Sequence, residues 1–201
     1  MTKPMSDAKV PYLRSPELLS RAESRLLIVD VQEKLVPKIV HLDRMLANCR
    51  MLIQGARIAG VPVFSTEQYP KGLGPTVSQL GELLEAPAQK LRFSCAETLA
   101  WGLAAEAADN RFQIVVAGME AHVCVLQTVL DLLGAGFQVF VAADAVSSRT
   151  ELDWKIALDR MATGGATIVT SESVLFEWCE VSGTPEFKQI SQLIKDREQH
   201  A

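Results

Sequence analysis

Residues 112–118, "FQIVVAG", decide how the rest of this chain reads. The run is apolar without alternation and rich in β-branched residues, as a strand buried on both faces of a parallel sheet must be. Similar runs recur as "RLLIVDV" from Arg25, "VPVFST" from Val61, "QVFVAADA" from Gln138 and "ATIVTS" from Ala166, with a weaker one, "AQKLRF", at 88–93. Helical patterns separate them. "HLDRMLANCRMLIQGARIAG" (41–60) sets Leu42, Met45, Leu46, Cys49, Leu52, Ile53 and Ile58 near one stripe and closes on Gly60. "HVCVLQTVLDLLGAG" (122–136) is apolar almost all round, and "TELDWKIALDRMATGG" (150–165) opens on an N-cap, Thr150, and stops at a double glycine. Strand and helix in strict alternation predict an α/β fold: a doubly wound, Rossmann-like, mostly parallel six-stranded sheet with helices on both faces.

The chain has 201 residues, 48% of them hydrophobic, enough for one sizeable core. No linker, repeat or low-complexity tract divides it, so residues 25–201 are expected to form a single domain preceded by an N-terminal arm, 1–24. Lys and Arg number 20 against 24 Asp and Glu, for a formal charge of −4, which gives neither nucleic acid nor an anionic membrane a reason to bind. The expected partner is a small-molecule substrate. Four scattered cysteines without a CxxC pair are expected to be reduced thiols. Residues 1–24 lack the apolar core of a secretory signal and no run reaches the ~20 residues of a membrane span, so the expectation is a cytoplasmic protein. The apolar stretches "VLQTVLDLLGAG" (125–136) and "SVLFEWCE" (173–180) exceed what one sheet face covers, and a homo-oligomer is expected.

In such sheets ligands sit beyond the carboxyl ends of the strands. The polar residues expected there are Asp30 and Gln32 after the first strand, Glu67 and Gln68 after the second, Lys90 in the weak one, the Glu120–Cys124 stretch, and Asp144 after "QVFVAA". Cys124 falls in the opening turn of a helix, where unpaired N–H groups and the dipole favour a thiolate, so it is either a nucleophile of lowered pKa or a small buried hydrophobe. Asp30 is a base beside that nucleophile or a turn residue, and Lys90 is a buried partner of a carboxylate or a solvated edge residue. His122, two positions from Cys124, points to the opposite side of a helix and reads as a wall or interface residue rather than the base. Glu67, Gln68 and Tyr69, in the Gly- and Pro-rich excursion "TEQYPKGLGPT" (66–76), are candidate pocket walls. No HExxH, CxxC or phosphate-loop pattern occurs, so neither metal nor cofactor is expected.

"LLIVDVQ" (26–32), Lys90, "VVAGMEAHVCV" (115–125) and "GFQVFVAADAVSSR" (136–149) together resemble the isochorismatase-like cysteine hydrolases, most of all the isochorismatase domain-containing proteins. The resemblance implies a cofactor-free hydrolase of a small amide or related carbonyl compound. It implies an Asp30–Lys90–Cys124 triad and a covalent acyl-enzyme. It further implies a cis peptide at Met119–Glu120 and an oxyanion hole from the N–H groups of Glu120 and Cys124. The residues expected to touch substrate are Gln32, Glu67, Gln68, Tyr69, Met119 and His122. Two departures narrow it: the metal ligands of nicotinamidases are missing from "STEQYPKGLGPT", and Ala121 stands where a threonine is often found. Arg92 and Arg149 are the only nearby candidates for binding a dicarboxylate. A non-catalytic binding protein and a thiol-redox protein on the same fold are the competing readings.

Overall fold

The computed structural model describes residues 12–198, so the first eleven residues of the expected arm lie outside the described residues. In chain order the elements are β1 (Ser24–Val29), α1 (Leu42–Ala59), β2 (Val63–Gln68), α2 (Pro70–Leu73), α3 (Ser78–Gly81), β3 (Ala88–Lys90) and α4 (Ala96–Leu99). They continue with β4 (Gln113–Met119), a π-helical turn (Ala121–Val125), α5 (Leu126–Gly134), β5 (Gln138–Ser147), α6 (Glu151–Thr163), β6 (Thr167–Val169), α7 (Ser171–Cys179) and α8 (Pro185–Glu198). The six strands form one sheet in the order β3-β2-β1-β4-β5-β6, every neighbouring pair parallel. The mostly parallel expectation is met in full.

Alternation along the central strands sends side chains to two separate cores. Leu26 and Ile28 of β1 with Val115, Ala117 and Met119 of β4 join α1, α7 and α8 on one face. Leu27 and Val29 with Ile114 and Val116 join α5 and α6 on the other. With both faces covered, these strands carry no polar face to water, which is why the runs read as continuous. Caps fix the helix limits: Gly60, at φ +73°, ends α1, and the Thr150 hydroxyl accepts from Asp153 N at the start of α6. Gly118 is demanded by the sheet itself. It has φ +114°, and a Cβ there would lie 2.2 Å from the carbonyl oxygen of Val29 on the adjoining strand.

Several details differ from the sequence expectations. β2 runs two residues further than expected, to Gln68, so Glu67 and Gln68 are buried strand residues rather than loop ones. β3 stops at Lys90, because the next carbonyls turn back onto that residue's ammonium. The helix expected from His122 begins instead with the π-helical turn. The apolar surplus read as an oligomer surface is largely consumed inside: Val174, Leu175 and Trp178 of α7 and Leu126, Val129 and Leu132 of α5 are all buried in the chain's own cores. Among the described residues no helix is long and apolar enough to cross a membrane.

Candidate active site

Strand order reverses between β1 and β4: from β1 the chain builds outward to β2 and β3, then returns to place β4 on the other side. Connections therefore diverge at the carboxyl ends of these two strands and leave a crevice there. Asp30 follows β1 and Cys124 lies just past β4, so both candidates stand at that reversal. Asp30 has φ 50°, in the left-handed region, and its N–H continues the parallel ladder to the carbonyl of Thr66 (3.2 Å). Its carboxylate is held from two sides, Oδ1 accepting from the Thr66 hydroxyl (2.7 Å) and Oδ2 from Lys90 Nζ (2.6 Å).

Lys90 reaches this carboxylate from β3, two strands away from β1 in the sheet. Its ammonium also donates to Gln68 Oε1 (2.8 Å) and to the carbonyls of Phe93 (2.9 Å) and Arg92 (3.3 Å). Both side chains of the ion pair are fully buried. A charge stripped of water is tolerated only when paired and hydrogen-bonded on its remaining sites, which this ring of acceptors achieves.

Cys124 sits in the π-helical turn, where the carbonyl of Glu120 accepts from both Val123 N (3.0 Å) and Val125 N (3.2 Å). The residue is 5% exposed. Burial raises its thiol pKa well above the ordinary value. The neighbouring Asp30 charge raises it further, as does a hydrogen bond between the two side chains, while Lys90 pulls the other way. Of the two readings left open for Cys124, a thiol of lowered pKa is the one its surroundings oppose: desolvation and an adjacent anion push the pKa up against the dipole, which keeps the sulfur protonated.

The other expected site residues separate into two groups. Gln32, Glu67 and Gln68 are committed to one another, to the excursion at 69–76 and, through the Gln68 side chain, to Lys90 and the carbonyl of Leu91. Gln32 Nε2 donates to the carbonyls of Gln68 (3.0 Å) and Gly74 (2.7 Å), its Oε1 accepts from Gln68 N (2.8 Å), and Glu67 accepts from the N–H (2.6 Å) and hydroxyl (2.9 Å) of Thr76. Met119 is fully buried in the α1-side core, away from the cluster that holds Cys124. Nearer the opening are Tyr69, 51% exposed, and His122, whose Nδ1 lies 3.0 Å from the Ser148 hydroxyl. The Met119–Glu120 peptide bond is cis. The Glu120 carboxylate is gripped through two nitrogens of Arg149, Nε and, at 3.1 Å, Nη2. Asp144 is no strand-end group: it lies inside β5 and accepts from the N–H (2.8 Å) and hydroxyl (2.9 Å) of Ser171 at the start of α7.

Sequence reasoning passed over Thr66, which reads only as a β-former, and Thr128. The Thr128 hydroxyl donates to the carbonyl of Cys124 (2.6 Å) and accepts from Cys95 N (2.9 Å), tying the turn that carries Cys124 to the start of α4. A pairing of β1 with β2 would have placed Thr66 opposite Val29, next to Asp30. Thr128, four residues after Cys124, carries no such signal. Among the described residues, no group of three or more His, Cys, Asp or Glu side chains converges as metal ligands.

A parallel sheet with a cysteine, a carboxylate and an ammonium gathered at its strand-order reversal defines an isochorismatase-like hydrolase architecture. Residues 24–173 match the Isochorismatase domain model, and the chain belongs to that family. It is 43% identical over 180 residues to isochorismatase domain-containing protein 1 of Danio rerio, covering 88% of this chain and 62% of that protein. Among solved structures it is similar to the MAR1 ribonuclease of Caenorhabditis elegans, with 37% identity and a TM-score of 0.79 over 89% of this chain and 92% of that one. It is also similar to the YcaC gene product of Escherichia coli, described as an octameric hydrolase of unknown specificity, with 25% identity and a TM-score of 0.78 over 93% and 96% of the two chains.

Proposed function

We propose that the protein is a cofactor-free cysteine hydrolase of small amides or related carbonyl compounds, with Asp30, Lys90 and Cys124 as its triad. One observation carries this reading: the buried Asp30 carboxylate is bonded on one side to the Lys90 ammonium and acts on the other upon the Cys124 thiol. A sulfur that rests protonated needs a base within reach at the moment of attack, and Asp30 is that base. Asp30 takes the thiol proton as the sulfur–carbon bond forms. The proton passes to the leaving nitrogen as the carbon–nitrogen bond breaks, which leaves a thioester on Cys124. Water then loses a proton to Asp30 and attacks the thioester. The acid product departs, and the sulfur regains its proton from Asp30. Lys90 holds the Asp30 carboxyl group in place throughout. The N–H groups of Glu120 and Cys124 would receive the developing oxyanion, a contribution of about 3 kcal/mol per donor in other enzymes.

A small neutral or weakly polar compound suits the charge of this chain better than a polyanion. The ribonuclease name belongs to the C. elegans protein; here a net charge of −4 and the carboxylates of Glu67 and Glu120 at the same end of the sheet disfavour RNA. A raised thiol pKa disfavours the redox reading, since thiolates are the readily oxidised form. Assembly into a homo-oligomer and a cytoplasmic location belong to the same proposal, the first supported by the octameric E. coli neighbour. The test is incubation with a panel of amides and thioesters, with turnover followed by product release and the acyl-enzyme by intact mass. An adduct on Cys124, absent in Cys124→Ala and slowed about 10²–10⁴-fold in Asp30→Asn, is expected. Turnover that survives Cys124→Ala would overturn the proposal.

A further inference from the structure

Every buried charge at the carboxyl end of the sheet already has a partner, and the balance between them is uneven. Three buried carboxylates lie there: Asp30, Glu67 and Glu120. Two cations answer them. Lys90, the one buried cation at this end among the described residues, is saturated by Asp30, Gln68 and two carbonyls. Arg149 is half-exposed and turned onto Glu120 through two nitrogens. Other cations here belong to the rim: Arg92 is ion-paired with Glu97, Lys34 donates to the carbonyl of Gly72, and Lys38 and Lys71 are exposed, where water screens them. Among the described residues no desolvated cation is left to meet an anion entering the crevice.

The chemistry of the lip points the same way. Leu91 and Phe93 stand 76% and 52% exposed on the segment whose carbonyls hold Lys90, and Tyr69 stands beside it at the end of β2. Large apolar side chains left in water at the mouth of a crevice gain by covering an apolar group, about 25 cal/mol for each Å² removed from water.

We infer that the crevice above Cys124 takes an uncharged acyl compound whose non-reacting half is apolar, and rejects carboxylates. This rests on the hydrolase proposal, and the following experiment separates the two. The intact protein is alkylated in parallel with iodoacetamide and iodoacetate, which differ in charge at nearly equal size, and modification is read by peptide mass spectrometry. Cys179, partly exposed and distant from the sheet's carboxyl end, is the internal reference.

The amide-to-acid rate ratio at Cys124 is expected to exceed that at Cys179 by about tenfold or more, equivalent to about 1.4 kcal/mol. N-benzyl iodoacetamide is expected to widen the preference at Cys124, and Phe93→Ala to remove that gain. Glu120→Gln, which releases Arg149, should bring the ratio back toward that of Cys179. Arg149→Gln, a change at a half-exposed position, should raise it further, and it decides the matter if the first variant fails to fold. Equal ratios at the two cysteines, or ratios unmoved by both charge variants, would overturn the inference while leaving the hydrolase proposal standing. Modification of Cys124 by neither reagent would overturn both. Selectivity as expected, with no turnover of any acyl compound, would support this inference and count against hydrolysis.

Discussion

Replacing Lys90 by Met should cost more stability than any surface change and should do so for one stated reason. The ammonium is fully buried and bonded to four acceptors, one of them the equally buried Asp30 carboxylate. Methionine matches the stem in length but leaves that carboxylate unpaired with only the Thr66 hydroxyl and its own environment to hold it. Breaking a buried pair from one side costs about 3–5 kcal/mol. For a chain of this size that corresponds to a fall in Tm of about 6–20 °C. Urea unfolding monitored by tryptophan fluorescence gives the loss directly. Asp30→Asn combined with Lys90→Met removes both charges while keeping an acceptor for Thr66. The double variant should therefore be more stable than Lys90→Met alone, by about 2 kcal/mol, since most of the single-variant penalty is an orphaned charge. A loss below about 1 kcal/mol for the single variant, or a double variant no better than it, would refute this account of the pair.

Gly118→Ala should lose about 3 kcal/mol or more, because its Cβ would press on the Val29 backbone and neither strand can retreat without breaking the central ladder; Gly183→Ala, with positive φ but open space around it, should lose about 1–2 kcal/mol by comparison. Stability should decline in alkali: Cys49 is pushed up to about 12 by burial, and Cys95 and Cys124 are also raised, so the folded chain keeps thiol protons that the unfolded chain releases above pH 9. Since the unfolded state then binds fewer protons, the free energy of unfolding falls with rising pH by about 1.4 kcal/mol per unit for each such thiol. Urea midpoints from pH 8 to about 10.5 check the slope, which should be shallower by one thiol in Cys49→Ala; an unchanged slope in that variant would contradict it.

How far the sequence led depended on whether a residue's character came from its own run or from its neighbours in space. Strands such as "FQIVVAG" were legible because burial on both faces leaves no room for polar residues, and α1 and α6 because their caps are local. Asp30, Lys90 and Cys124 stood out as chemistry-bearing residues in apolar surroundings. The protonation state of Cys124 was not legible. It depends on desolvation and on the distance to a carboxylate ninety-four residues earlier, neither of which a helix-start pattern encodes. Gln32, Glu67 and Gln68 looked like pocket walls because polar residues at strand ends usually face ligand, yet their hydrogen-bonding atoms are occupied by one another, by Gly74 and Thr76, and by Lys90 and Leu91. The apolar stretches read as an outer surface turned inward, since a sheet covered on both sides needs more hydrophobic side chains than its strands alone suggest.

Lys90 takes two of its acceptors from main-chain oxygens, those of Arg92 and Phe93. Because every amino acid supplies the same main-chain oxygen, substitution along 91–93 can change the exposed side chains there without removing the buried Lys90–Asp30 pair underneath. Those three positions are therefore free to vary in side chain while the pair they support stays put.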